Sequence, residues 1–142
     1  MTAEATTRTA NTAADDVDVV RAGFEAVAAG DMAGFAAMFH VDATWNHRND
    51  DRLGGVKPGV DAIVNWLGES IALTAGTLRP VPELFMPDGA GHVAVLTRVS
   101  GTRPDERTFD DMQILLFTIE NGRVHAVDQF VGDPTAVTAF WA

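Results

Sequence analysis

The sequence predicts an α+β domain in which the helices come first and antiparallel strands follow. Three observations carry this reading. Up to about position 75, apolar residues recur at three- and four-residue intervals, the spacing of one helix face. From there to position 131 they alternate in twos, as side chains do along a strand. The turn-forming stretches PDGAG, GTRPDE and ENG divide that second half, and helices followed by strands, without alternation, argue against a parallel α/β sheet.

The elements follow in order. Residues 1–14, MTAEATTRTANTAA, hold no large apolar side chain after Met1 and cannot offset the entropy of ordering. They are expected to form a disordered tail, with residues 15–142 as a single domain. Val17, Val20, Phe24 and Val27 make one stripe of a helix running from Asp15/Asp16 to Gly30. Asp31 then caps a shorter helix with Met32, Phe35 and Phe39 on its buried side. Both helices are amphipathic, so both need a surface to cover. Residues 43–47, ATWNH, are β-prone and short, and the polar 48–57 segment with Gly54 and Gly55 is expected to be loop. Pro58 suits the first turn of a third helix carrying Val60, Ile63, Val64, Leu67 and Ile71 on one face, and Gly76 closes that region. Residues 78–86, 92–100, 107–119 and 123–131 are expected to be strands. Pro134 opens a short last segment, 135–141, whose Phe140 and Trp141 are available to the sheet or to a second subunit.

A chain of 142 residues that is 46% hydrophobic and 21% charged suits one domain with one core. No run of some eighteen uncharged apolar residues is present, so no membrane association is expected, and a soluble, cytoplasmic protein is. The absence of cysteine excludes disulfides, thiolate metal sites and a cysteine nucleophile. A net charge of -10 without a basic cluster opposes binding to nucleic acid. His40, His47, His92 and His125 show no two-ligand spacing on a helix, and no glycine-rich phosphate loop follows a strand. Neither metal nor cofactor is expected.

The candidate site comes from strand parity. Along 107–119, Asp111, Gln113, Leu115, Phe117 and Ile119 share one side, while Asp110, Met112, Ile114, Leu116 and Thr118 share the other. Both sides are apolar, so both require cover. On the last strand the two sets are His125, Val127, Gln129, Val131 and Val124, Ala126, Asp128, Phe130. Gln113 and Gln129 thus fall on the inward face of adjacent strands, where their amides bond a ligand carbonyl, a water or each other. A one-residue change of register would exchange Gln129 for Asp128. Trp45 and His47 lie two apart and share a face, one as a flat wall with an N–H, the other as a group able to donate, accept or relay a proton near pH 7. Trp66 belongs to the core or to a pocket wall. Arg98, Asp110, Asp111 and Asp128 read as solvated edge charges, and GTRPDE as either a lid or an ordinary hairpin loop.

The order helix, helix ending in GDMAGFAAMFHVDATWNH, helix GVDAIVNWL, long strand, ENG turn, strand and GDPTAVTAFW resembles the SnoaL-like polyketide cyclases. These belong to the nuclear-transport-factor-like superfamily, with the ketosteroid isomerases and limonene epoxide hydrolase. The resemblance implies a cone, a curved antiparallel sheet wrapped around three helices, with a deep apolar pocket and a homodimer formed through the outer sheet face. It places Trp45 and His47 where the epoxide hydrolase holds a water-orienting tyrosine and asparagine. The last-strand acid/base aspartate falls on Gln129 and the aldol-type cyclases' histidine on Leu115, so the residues needed for an aldol closure are missing.

The expectation is a cofactor-independent polyketide cyclase that folds a small, hydrophobic polyketide-type substrate for a cycloaddition-like or conjugate-addition ring closure. His47, Gln129 and Gln113 are its candidate catalytic groups, and Trp45, Trp66, Leu115 and Phe117 its candidate substrate contacts. The alternatives are an epoxide hydrolase or ring-opening polyether-type cyclase, which requires an inward aspartate beside Arg98, and a non-catalytic ligand-binding protein.

Overall fold

A computed structural model describes residues 12–142. Most of the expected tail lies outside those residues, but its end does not. Thr12 caps helix α1 (Ala13–Ala28) in a reciprocal box with Asp15, so the helix starts two residues ahead of the expected position. Asp31 caps α2 (Met32–Ala37) as expected, its carboxylate accepting from the Gly34 N–H. That helix is shorter than its apolar spacing suggested: Phe39 opens strand β1 (Phe39–Arg48) instead of closing the helix face.

The 48–57 segment is not all loop. It contains β2 (Gly55–Pro58), which pairs antiparallel with β1. Pro58 ends this strand, and Gly59, at φ 89°, takes the cap position of α3 (Val60–Leu73). That conformation favours a residue without Cβ. Strands β3 (Arg79–Pro87), β4 (His92–Thr102), β5 (Thr108–Glu120) and β6 (Arg123–Phe130) follow, then helix α4 (Pro134–Trp141). Asn121 and Gly122, both with positive φ, form the two-residue turn between β5 and β6.

The six strands form one sheet in the order β2-β1-β6-β5-β4-β3. Every pair is antiparallel except β1 with β6, which runs parallel and corrects the expectation of a wholly antiparallel sheet. No hairpin joins these two, so no turn dictates their relative direction. A bulge in the β5–β6 ladder adds one residue to β6 between Val124 and Ala126. It breaks the two-residue period, so Val124 and Val127 are both fully buried and His125 is half-buried, stacked on His40 at 4.4 Å.

The concave face and the helices enclose a core around Val20, Phe35, Ile63, Val95 and Phe117. A second cluster lies under α4, where Phe109 stacks on Phe140 at 4.2 Å beside Trp141. The C-terminal aromatics therefore close one end of the chain's own sheet. The GTRPDE loop is fastened there too. Arg103 donates to the Phe140 carbonyl, and Arg107 to those of Ala139, Phe140 and Ala142, satisfying helix-end acceptors that lack partners of their own. Outside, Ile114, Phe130, Leu84 and Met86 are exposed. Among the described residues, no helix is long and apolar enough to cross a membrane.

Candidate functional site

Between the helices and the concave face lies an internal cavity of about 80 Å³. It reaches all seven residues singled out from the sequence: Trp45 and His47 from β1, Trp66 from α3, Gln113, Leu115 and Phe117 from β5, and Gln129 from β6. Their convergence follows from register. His47 pairs with Gln129 across β1 and β6, and Leu115 with Gln129 across β5 and β6. The hollow is smaller than the roughly 300–1,000 Å³ usual for small-molecule pockets. Part of its space is taken by Met38, whose sulfur lies where a side chain on Gly23 would be.

One polar group of this wall is a closed chain of hydrogen bonds. Trp45 Nε1 donates to Gln129 Oε1 at 2.8 Å, Gln129 Nε2 to Gln113 Oε1 at 2.6 Å, and Gln113 Nε2 to Asp111 Oδ2 at 3.1 Å. Asp111 also accepts from the backbone N–H groups of Gly132 and Asp133, both at 2.9 Å. Asp111 is thus a buried anchor for the turn into α4, which corrects its reading as a solvated edge charge. The two glutamines satisfy each other and Trp45. Asp110 does behave as an edge charge, in an exposed network with Arg98 and Glu83. Asp128 faces out and pairs with Arg48 at 2.8 Å, so the register keeps Gln129 inside. Among the described residues no aspartate is buried beside Arg98, whose partners Glu83 and Asp110 are both exposed, so the arrangement an epoxide hydrolase reading required is not found there.

The other polar group is open. His47 is buried, and its Nε2 lies 2.8 Å from Oδ2 of Asp51, whose side chain is fully buried. Asp51 also accepts from Asn49 Nδ2 and from the Leu53 N–H. Burial alone raises its pKa; the hydrogen bonds from His47 and Asn49, the charge of His47 and the Leu53 N–H outweigh this and hold it below 3.8. Asp51 is therefore ionised at neutral pH, and a carboxylate only accepts, so the Nε2 facing it carries the proton. In the neutral ring Nδ1 then has the lone pair. Nδ1 is buried and without a partner among the described residues, as is the indole Nε1 of Trp66, whose ring centroid is 6.1 Å from that of His47. Trp66 also meets Lys57, whose ammonium is 6.0 Å from the ring centroid and donates to the carbonyls of Gly54 and Gly55. Burial lowers the Lys57 pKa, opposed by Asp51 and Glu69.

Asp51 is the group that sequence reasoning missed, since the 48–57 stretch reads as polar loop. The loop is instead a folded turn: Asn49 N–H bonds the His47 carbonyl, Gly54 N–H the Asp51 carbonyl, and a side chain at Gly54 would strike the Asn49 carbonyl. Asn49 also bonds Thr138 of α4. The i, i+4 spacing of His47 and Asp51 is in the sequence, but without the turn it has no meaning.

The fold and this lined hollow define a class. The SnoaL-like domain model matches residues 20–127, and the chain belongs to that family, with the nuclear-transport-factor-like cone. An uncharacterised protein of Mycobacterium tuberculosis, and its counterpart in Mycobacterium bovis, are 32% identical over 127 residues, covering 89% of this chain and 96% of theirs. Bal32a, from a soil-derived mobile gene cassette, matches at a TM-score of 0.89 and 27% identity, covering 93% of this chain and 100% of its own. A proposed polyketide cyclase of Sinorhizobium meliloti matches at a TM-score of 0.68 and 24% identity, covering 84% and 99%; at that identity the likeness shows the fold alone.

Proposed function

We propose that the protein is a cofactor-independent cyclase that closes a ring in a small, hydrophobic polyketide-type substrate by conjugate addition. The observation that carries this is His47 in the wall of an apolar cavity, bonded to Asp51 through Nε2 and with Nδ1 unpartnered. A cycloaddition needs no base; a conjugate addition does. His47 Nδ1 would take the proton of a substrate hydroxyl as its oxygen bonds the β-carbon of an enone. The π electrons move to an enolate, and the same proton returns from Nδ1 to the α-carbon. Atoms and charge balance without an oxidant or reductant. Asp51 stabilises the transient imidazolium and holds the ring. The amide chain through Gln129 and Gln113 supports the wall, and Leu115 and Phe117 supply apolar surface.

A substrate larger than the hollow requires the wall to yield. Met38, with its flexible thioether chain, is its most deformable member. The exposed outer sheet face around Ile114 and Phe130 supports pairing of two copies there. The small hollow also favours a second reading, a ligand-binding protein without turnover.

The test is turnover of hydroxy-enones whose hydroxyl is tethered within ring-closing reach, followed by loss of enone absorbance. The wild type should accelerate closure, and His47→Gln, which still donates to Asp51, should lower the rate about 10²–10⁴-fold. Equal rates in the two proteins would refute the catalytic role, and binding without turnover would select the second reading.

A further inference from the structure

His47 Nδ1 and Trp66 Nε1 form the only neighbouring pair of unpartnered polar atoms in the cavity wall among the described residues. A buried polar atom without a partner is destabilising, so such pairs mark where something else bonds. The two atoms differ in kind. The indole N–H only donates. Nδ1, with the proton held on Nε2 by Asp51, accepts. The rest of the wall is apolar or internally bonded: Phe24, Phe117 and Leu115 offer no polar atom, and the amides of Gln113 and Gln129 are engaged with each other.

We propose that this pair is a recognition subsite for a neutral hydroxy-carbonyl compound, with Trp66 Nε1 donating to the carbonyl oxygen and His47 Nδ1 accepting from the hydroxyl. The inference rests on the catalytic reading and narrows it to substrates that carry both oxygens at one end of an apolar body. A neutral ligand is specified because the fully buried Asp51 carboxylate lies directly behind the imidazole. A second anion in front of it would be opposed by that charge in an apolar surrounding. Lys57 interacts with that charge but does not bond the carboxylate, its ammonium donating to the Gly54 and Gly55 carbonyls.

Equilibrium binding of four probes of similar size tests this, with tryptophan fluorescence or calorimetry as readout: ethylbenzene, acetophenone, meta-hydroxyacetophenone and benzoate. Similar size makes the cost of opening the hollow cancel. Each satisfied buried hydrogen bond contributes about 1 kcal/mol, so acetophenone should bind about fivefold tighter than ethylbenzene, and the hydroxyketone about fivefold tighter again. Trp66→Phe keeps an aromatic wall; in it the ketone increment should vanish and the hydroxyl increment persist. Benzoate should bind weakest. Equal affinity for ethylbenzene and the hydroxyketone, a ketone preference that survives Trp66→Phe, benzoate as the tightest ligand, or no binding by any probe at millimolar concentration would each overturn the subsite. The predicted order with no turnover of tethered hydroxy-enones would end the catalytic reading and leave the subsite standing. Turnover without the order would do the reverse.

Discussion

The two polar groups in the cavity wall use the same kinds of residue in opposite ways. In the chain from Trp45 to Asp111 each donor has an acceptor and the series ends on two backbone N–H groups. Next to it, across the β1–β6 pairing, His47 has one nitrogen anchored by Asp51 and one without a partner, beside an indole in the same condition. Burial and polarity alone do not distinguish a site from a scaffold. Hydrogen-bonding capacity left over does, because a bonded amide has little to offer a ligand while an orphan atom is stabilised by one.

The largest effect is expected where the closed chain is anchored. Asp111→Ala removes one acceptor of three hydrogen bonds and leaves the Gly132 and Asp133 N–H groups without it. The expected loss is about 3 kcal/mol of stability, measured by denaturant unfolding. A change below about 1 kcal/mol would show that water replaces the carboxylate and that the chain is no scaffold.

Asp51→Asn sharpens the other side. It retains the shape but removes the charge that holds the Nε2 proton, and turnover should fall about 10–100-fold, the range for partners that orient a reacting group. The same substitution has a signature in acid. Because the folded pKa of Asp51 lies below 3.8, the folded state holds this proton less tightly than the unfolded chain. The carboxylate's stabilisation is therefore complete above about pH 4 and lost as pH falls through the folded value. His47, hydrogen-bonded to it, and Lys57 are the ionisable groups that face it, and Glu69 acts on Lys57 in turn. Unfolding followed by circular dichroism should show a smaller loss of stability between about pH 5 and about pH 2 in Asp51→Asn than in the wild type. Superimposable acid curves would remove Asp51 from that account.

The smallest effect is expected at Gln129. Gln129→Met fills the space but frees the Trp45 indole N–H and Gln113 Oε1, costing about 1–2 kcal/mol of stability, and turnover should change less than about threefold, since no bond to the reacting atoms is lost. A loss comparable to that of His47→Gln would make Gln129 a reacting group after all.

The α+β order, the ENG hairpin, the inward side of β5 and the seven wall residues were legible from periodicity, turn residues and the family resemblance, because side-chain alternation along a strand is a local property. The two-residue rule failed on β6, where the bulge places Val124 and Val127 on one side, and helix spacing overran into Phe39 because a helix and the strand after it can share an apolar side chain. The pairing of polar groups was settled by long-range packing: the glutamines bond each other, Asp111 anchors a turn, and the loop after β1 brings Asp51 to His47. Those bonds join residues whose relation depends on register and loop geometry, and no local pattern of hydrophobicity encodes which buried atom is left without a partner.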